Sequence, residues 1–330
     1  MRHARAHPVL LSAAGAAAAL AASALFVQIR TRRAENANPP AGKFLEVDGV
    51  RLHYIVRGRG SPVILLHGNG ALVQDMVLSD LVKRLAKQHR VFVFDRPGYG
   101  YSTRPRGRGW TPEAQAALFS KAFAELGIEQ PVVLGHSWGA LVAMALGLDY
   151  PEAVKSLVLA SGYFYPTARV DVVFLSQPAI PGLGDLMRFT ISPLLVRLMW
   201  PALMRKIFGP NRMPEAFEGF PKWLALRPET IRAAAVETAM LVPAAARLSK
   251  RYGELDVPAV IVAGAADRLI TTIGQSERLH RELTGSTLLV VPGVGHMVHH
   301  IAPDAVMAAL DQAVVRKPGT ARIAAASAAA

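Results

Sequence analysis

The chain of 330 residues contains no cysteine. That absence excludes disulfides, thiolate nucleophiles and cysteine-ligated metal centres, and it chooses no compartment. Acidic residues are scarce too, 24 against 37 Lys and Arg, which leaves a net charge of +13. A nucleic-acid binder would gather such an excess on one face beside reading elements. Here it is spread: Arg2, Arg5, Arg30, Arg32 and Arg33 flank an apolar segment, and Arg316, Lys317 and Arg322 sit in the tail. The pattern suits a membrane surface, and no nucleic-acid partner is expected. Two further absences organise the chain. Pro8 to Gln28 carries no charge, and Gly162 to about Lys250 carries no strong strand. Core-building material is plentiful, since 52% of the residues are hydrophobic.

The uncharged N-terminal stretch of 21 residues would span about 31 Å as a helix, the thickness of a hydrocarbon core. It is alanine-rich, so its insertion energy rests on Val9, Leu10, Leu11, Leu20, Leu25, Phe26 and Val27. We read residues 8–28 as an uncleaved single-pass membrane anchor. A cleaved signal peptide, leaving a secreted or periplasmic protein, is the alternative, with Ala22-Ser23-Ala24 as the cleavage site. Arg2 and Arg5 on one flank nearly balance Arg30, Arg32 and Arg33 on the other, so no orientation follows. Glu35 to Gly42, with Pro39-Pro40, reads as a linker. The expected organisation is anchor and linker over 1–42, a core over 43–161 and 251–316, a helical cap over 162–250, and a disordered tail over 317–330.

From Lys43 the pattern is that of an α/β protein. Phe44 to Val47 and Arg51 to Arg57 form a hairpin around Asp48-Gly49. Pro62-Val-Ile-Leu-Leu is a continuous apolar run, as for a strand buried on both faces. A helix is expected over Val73–His89, a strand over Val91–Asp95, and a helix capped by Thr111 with Pro112 at its first position. Further strands fall at 132–134, 155–161, 259–264 and 287–291. Strands alternating with helices give a mostly parallel, doubly wound sheet. The strandless insertion then reads as a helical cap, opened by Tyr163-Phe164-Tyr165 just past a strand end, where α/β sheets place ligands. These aromatics are candidate pocket residues, with packing beneath the cap as the other reading.

The chemistry centres on Gly135-His136-Ser137-Trp138-Gly139, which follows a short apolar strand and precedes an apolar helix. Small residues around Ser137 permit a sharp strand-to-helix turn that projects its hydroxyl. A serine hydroxyl needs a base, and the base needs a third group to fix its tautomer. Asp267 and His296 each follow a buried strand, in the order Ser, Asp, His that this architecture demands. The oxyanion donors are expected to be the backbone N–H of Trp138 and that of Asn69, in the loop His67-Gly68-Asn69-Gly70. Losing one such donor costs about 2.7 to 4 kcal/mol of barrier. His67 reads as a loop brace, and Asp95 as an acceptor for loop amides. His136 reads as a supporting or packing residue. His299 and His300 read as helix-surface or packing residues, with no partner at a spacing that makes a metal site. Neither a metal nor a cofactor is called for.

These motifs resemble the α/β-hydrolase superfamily, in the branch of esterases, cofactor-free haloperoxidase-like enzymes and C–C bond hydrolases. The resemblance runs from about Phe44 to Val315, through His67-Gly68-Asn69-Gly70, Asp95 to Ser102, Gly135 to Gly139, Asp267 and Gly295-His296. It implies catalytic roles for Ser137, Asp267 and His296. Epoxide hydrolases and haloalkane dehalogenases of similar layout use an aspartate nucleophile, and Ser137 stands here instead. Gly-x-Ser-Trp-Gly is also similar to proline iminopeptidases, whose His-Gly-Gly-Pro-Gly loop is replaced here by His67-Gly-Asn-Gly-Ala.

The expected function is a membrane-anchored serine hydrolase cleaving a small apolar ester or lipid-like substrate through an acyl-enzyme. Alternatives are a C–C hydrolase or haloperoxidase-like enzyme with the same residues, and a non-catalytic ligand-binding relative. Leu186 to Phe208 also combines Arg188, Arg197, Arg205 and Lys206 with apolar residues, as an interfacial helix would. Pro193 and Pro201 interrupt that pattern, and ordinary cap packing is the expectation.

Overall fold

The computed structural model describes residues 8–315, so the expected tail over 317–330 lies outside the described residues. Helix α1 (Pro8–Ala37) comes first. It continues through Arg30 to Ala37, eight residues into charged sequence, and leaves only a short connection with Pro39-Pro40 where a longer linker was expected. Tertiary contacts hold this continuation: Glu35 pairs with Arg227 at 2.8 Å, and Tyr101 OH donates to Asn38 O.

Strands β1 (Lys43–Val47) and β2 (Val50–Arg57) form the expected hairpin. Asp48 and Gly49 both take positive φ, 48° and 71°, the twist a tight two-residue turn needs. Then come β3 (Ser61–Leu66), α2 (Val73–Leu78), α3 (Leu81–Leu85) and β4 (His89–Phe94). The single helix expected over Val73–His89 is therefore broken in two. Asp80 adopts a left-handed φ of 66°, and the Ser79 hydroxyl donates to Met76 O, terminating the first turn locally. Helix α4 (Pro112–Glu125) has the expected cap, with Thr111 Oγ1 accepting from Ala114 N at 3.2 Å.

Strand β5 (Val132–His136), helix α5 (Trp138–Asp149) and strand β6 (Ser156–Ala160) complete the first half. The strandless region is helical: α6 (Val170–Leu175), α7 (Leu183–Phe189), α8 (Ile191–Phe208), α9 (Lys222–Ala225) and α10 (Pro228–Leu248). Helix α8 is continuous. Pro193 lies in its first turn, where the missing N–H has no intrahelical partner, and Pro201 is accommodated within it, so the prolines do not interrupt this segment. Strand β7 (Ala259–Gly264), α11 (Arg278–Glu282), β8 (Thr287–Val291), α12 (Val298–Ile301) and α13 (Pro303–Val315) close the chain.

The eight strands lie in the order β1-β2-β4-β3-β5-β6-β7-β8. β2 is antiparallel to both its neighbours, and every other pairing is parallel. Alternate residues serve two cores. Ile64, Leu66, Phe92, Phe94 and Val133 pack with α4 and α5 through Phe119, Ala140 and Leu141. Val63, Leu65, Val91, Val93 and Leu134 pack with α3 and α13 through Leu81, Leu85 and Leu310. Two covered faces explain why the central strands read as unbroken apolar runs. The carboxyl ends of β3, β5, β7 and β8 gather the loops that carry His67 to Gly70, Ser137, Asp267 and His296.

Candidate active site

Ser137 sits between β5 and α5 with φ 54° and ψ −115°, a strained conformation for a residue with a side chain. Its flanking glycines are obligatory. A Cβ on Gly135 would lie 2.1 Å from Gly139 O, and one on Gly139 would lie 2.3 Å from Leu66 O. The turn can be this tight only because both side chains are missing. Ser137 N donates to Ala160 O at 2.9 Å, which ties the turn to β6.

His296 Nδ1 and Asp267 Oδ2 are 2.7 Å apart, and both side chains are almost wholly buried. The other carboxylate oxygen accepts from Leu269 N at 2.8 Å and Ile270 N at 2.9 Å, so the loop after β7 grips Asp267. With Nδ1–H committed to the carboxylate, Nε2 is the nitrogen left to take a proton. His136 bridges to this loop: its Nε2–H donates to His296 O at 3.1 Å, and the two rings are 4.9 Å apart. The residue beside the serine thus holds the residue expected to act as base. Burial, followed by neighbouring histidines, pushes His136 well below its ordinary pKa and keeps it a neutral donor. The Ser137 hydroxyl makes no hydrogen bond among the described residues. Catalytic contacts of this kind often tighten only once substrate is bound.

The two amides expected to face an oxyanion differ in origin. Trp138 opens α5, so its N–H has no intrahelical acceptor. Asn69 belongs to the loop after β3, which lies against Ser137: a Cβ on Gly68 would be 3.1 Å from Ser137 Cβ. The Asn69 side chain is fully occupied. Its Nδ2 donates to Ala234 O and Thr238 Oγ1 on α10, and its Oδ1 lies 2.9 Å from Tyr99 OH. His67 braces the loop through Nδ1 to Gly68 O at 2.8 Å, while its Nε2 accepts from Arg96 N at 3.1 Å. Burial first, then the Arg96 charge, hold His67 down at about 4, so it is neutral. Asp95 accepts from Val73 N, Tyr101 N and His53 Nδ1.

Beneath that loop lies a network the sequence does not announce. Arg96 donates to His67 O and Gly68 O, and forms a bidentate pair with Glu237 of α10 at 2.6 and 3.0 Å. Tyr99 OH and Gln115 Nε2 also donate to Glu237. Burial alone would raise the Glu237 pKa, but the Arg96 charge and these donors outweigh it and hold it low. The cap is therefore bolted to the expected oxyanion loop through a wholly buried ion pair.

Tyr163, Phe164 and Tyr165 are buried. Phe164 and Tyr165 lie edge-on to Tyr252 beneath the cap, and their amides both donate to Gln275 Oε1. Tyr163 packs with Ala245 and Ile270, next to the Asp267 loop. His299 and His300 require a correction. They are buried, in line with the packing alternative, but they do have a carboxylate partner: Asp75 of α2 accepts from His299 Nε2 at 3.2 Å and from His300 Nε2 at 2.9 Å. More than 200 positions separate Asp75 from them, so no sequence spacing could reveal it. Their ligand-type atoms are close enough for a metal, but each Nε2 is accounted for as a hydrogen-bond donor to Asp75.

Residues 61–303 match the family model for the alpha/beta hydrolase fold. The chain belongs to that family. Among curated proteins it is 24% identical over 274 residues to haloalkane dehalogenase 2 of Mycobacterium tuberculosis, covering 79% of this chain and 90% of that one. It is 26% identical over 183 residues to the 2-hydroxy-6-oxo-2,4-heptadienoate hydrolase of Pseudomonas putida, covering 52% of this chain and 66% of the other. Among solved structures, a membrane phospholipase A described as a bacterial virulence factor aligns over 93% of this chain and 97% of its own, with TM-score 0.64 and 21% identity. These relatives are hydrolases, and this chain shares their fold.

Proposed function

We propose that this alpha/beta hydrolase is a membrane-anchored serine esterase acting on an apolar, lipid-like carboxylic ester. Ser137 Oγ attacks the acyl carbon while His296 Nε2 takes its proton. The amides of Asn69 and Trp138 receive the oxyanion. His296 then protonates the departing alkoxide, and water activated by the same nitrogen releases the acid from Ser137. Asp267 holds His296 in the required tautomer. The observation that carries this reading is the 2.7 Å contact from His296 Nδ1 to Asp267, on a loop tied by His136 to the strained Ser137 turn. Anchoring is supported by α1, whose Leu11–Ala37 segment has the length and composition to cross a membrane, and by likeness to a structure described as a membrane phospholipase A. Tyr163, beside the Asp267 loop, is the best placed of the three aromatics to line a substrate pocket.

The test is hydrolysis of an acyl-chain series of p-nitrophenyl esters by the full chain in detergent. A pre-steady-state burst of one p-nitrophenol per Ser137, with turnover rising with chain length, is expected. No burst and no turnover on any ester overturns the reading. C–C bond hydrolysis is the second reading, favoured by the likeness to the Pseudomonas putida dienoate hydrolase. It predicts turnover of a vinylogous 1,5-diketone and none of the esters.

A further inference from the structure

The cap turns an apolar face outward. Of the 20 large apolar side chains that are exposed among the described residues, 13 fall within residues 170–203 and four more on α1. Leu198 is 78% exposed and Phe174 67%. Helix α8 shows why this is not ordinary packing. Trp200, Met204 and Phe208 on one side fill the cap core, while Ile191, Leu195, Leu198 and Met199 on the other are exposed. A helix with a second apolar face turned away from the core calls for that face, too, to be out of water. Exposed patches of this size mark an interaction surface.

The anchor helix says what covers that surface. Leu11 to Ala19 is exposed throughout, yet by Ser23 the helix already lies against the cap, where Ser23 Oγ donates to Thr190 O at the α7–α8 junction. Phe26 and Arg30 then meet Trp223 of α9 at 6.0 and 4.9 Å. From Pro8 to Ser23 the helix rises about 22 Å, short of a hydrocarbon core of about 30 Å. The apolar stretch can span only if Ser23 to Ile29 is also within the bilayer, and Thr190 must then sit at the same depth. Its neighbours Phe189 and Ile191 are the exposed apolar residues that depth requires. Arg197, Arg205 and Lys206 of α8 are exposed and form no salt bridge among the described residues, while Asp171 and Asp185 are already paired with arginines. The free charge on this face is positive, as anionic headgroups demand.

We propose that the outer face of α6, α7 and α8 is inserted into the same leaflet that α1 enters, so that the cap is itself a monotopic membrane element. This rests on the anchoring reading above. It also gives the substrate a route. The α8 end abuts the base loop, since a Cβ on Gly295 would lie 2.1 Å from Gly209 O. Lipid-like esters then approach His296 from the bilayer side.

The absence of cysteine makes the test clean. Single variants Phe174→Cys, Leu186→Cys and Leu198→Cys of the full chain carry a nitroxide, with Ala18→Cys in the anchor and Glu125→Cys on α4 as references. Far-UV circular dichroism checks each fold. The proteins are reconstituted into vesicles of mixed phosphatidylcholine and phosphatidylglycerol, and relaxation by oxygen and by a water-soluble nickel chelate is compared. The expected result is a positive depth parameter at 174, 186 and 198, as at 18, and a negative one at 125. Nickel-accessible cap labels with an embedded label at 18 would overturn cap insertion and leave the anchor standing. Nickel access at 18 as well would overturn both. Cap labels shielded from both relaxants would mean a second copy of the chain covers the face, and would overturn the lipid assignment. Embedded cap labels with an aqueous label at 18 would overturn the shared leaflet, since α1 would then not enter the bilayer.

Discussion

Two of the histidine–carboxylate pairs among the described residues are of almost identical construction. In one, His296 Nδ1 meets Asp267 Oδ2 at 2.7 Å, and the carboxylate also accepts two backbone amides. In the other, His53 Nδ1 meets Asp95 Oδ2 at 2.7 Å, and that carboxylate likewise accepts two backbone amides. What differs is what surrounds the imidazole. The His53 ring is boxed between Phe44 and Tyr101, its Nε2 is buried without a partner, and a Cβ on Gly42 would lie 2.9 Å from that nitrogen. The His296 loop is instead bound by His136 beside Ser137. A histidine–carboxylate dyad is thus a building part of this fold, bracing a loop in one place and, on our reading, activating a nucleophile in the other.

That contrast can be broken by paired substitutions. Ser137→Ala and His296→Ala are expected to give the largest effect, on the order of a 10⁶-fold loss of kcat on a responsive ester. Asp267→Asn should cost about 10⁴-fold, because the amide favours the wrong imidazole tautomer. The same change at Asp95 should lower the melting temperature while leaving kcat of the folded fraction intact. A loss at Asp95 as deep as that at Asp267 would erase the distinction.

The next effect is on stability. Glu237→Ala strands Arg96 in a dry interior, and removing one partner of a buried pair costs about 3 to 5 kcal/mol. Denaturant titration would show it, and a cost below 1 kcal/mol, the scale of a surface pair, would mean the network is wetter than it looks. Acid should act more gently. His67 is held at about 4 when folded, below its unfolded value near 6.5, so the folded state disfavours its proton. Its contribution is complete above pH 6.5 and is lost as pH falls towards 4, about 3 kcal/mol at most. Flat stability across that window would contradict a neutral, buried His67.

Much of the core was legible because its signals are local. Asp48-Gly49 specified the hairpin turn, apolar runs specified the two-sided strands, and Ser137, Asp267 and His296 each announce themselves just past a strand. The Arg96–Glu237 bolt was not legible, since 141 positions separate the two residues and Glu237 sits in no motif. Asp75 was hidden in the same way beneath His299 and His300. Glu35 to Gly42 reads as a linker on its paired prolines, whereas the pairing of Glu35 with Arg227 holds Glu35 to Ala37 in the helix. The outer face of α8 could not be judged either: composition identified its apolar residues, and only packing shows which of them meet protein.

The most direct measurement is labelling of the detergent-solubilised full chain by a fluorophosphonate, alongside Ser137→Ala, His296→Ala and His53→Ala. Covalent labelling of the parent and of folded His53→Ala, and of neither triad variant, is the expected result. Absence of labelling in the folded parent, or its persistence in Ser137→Ala, would contradict an activated serine at this turn.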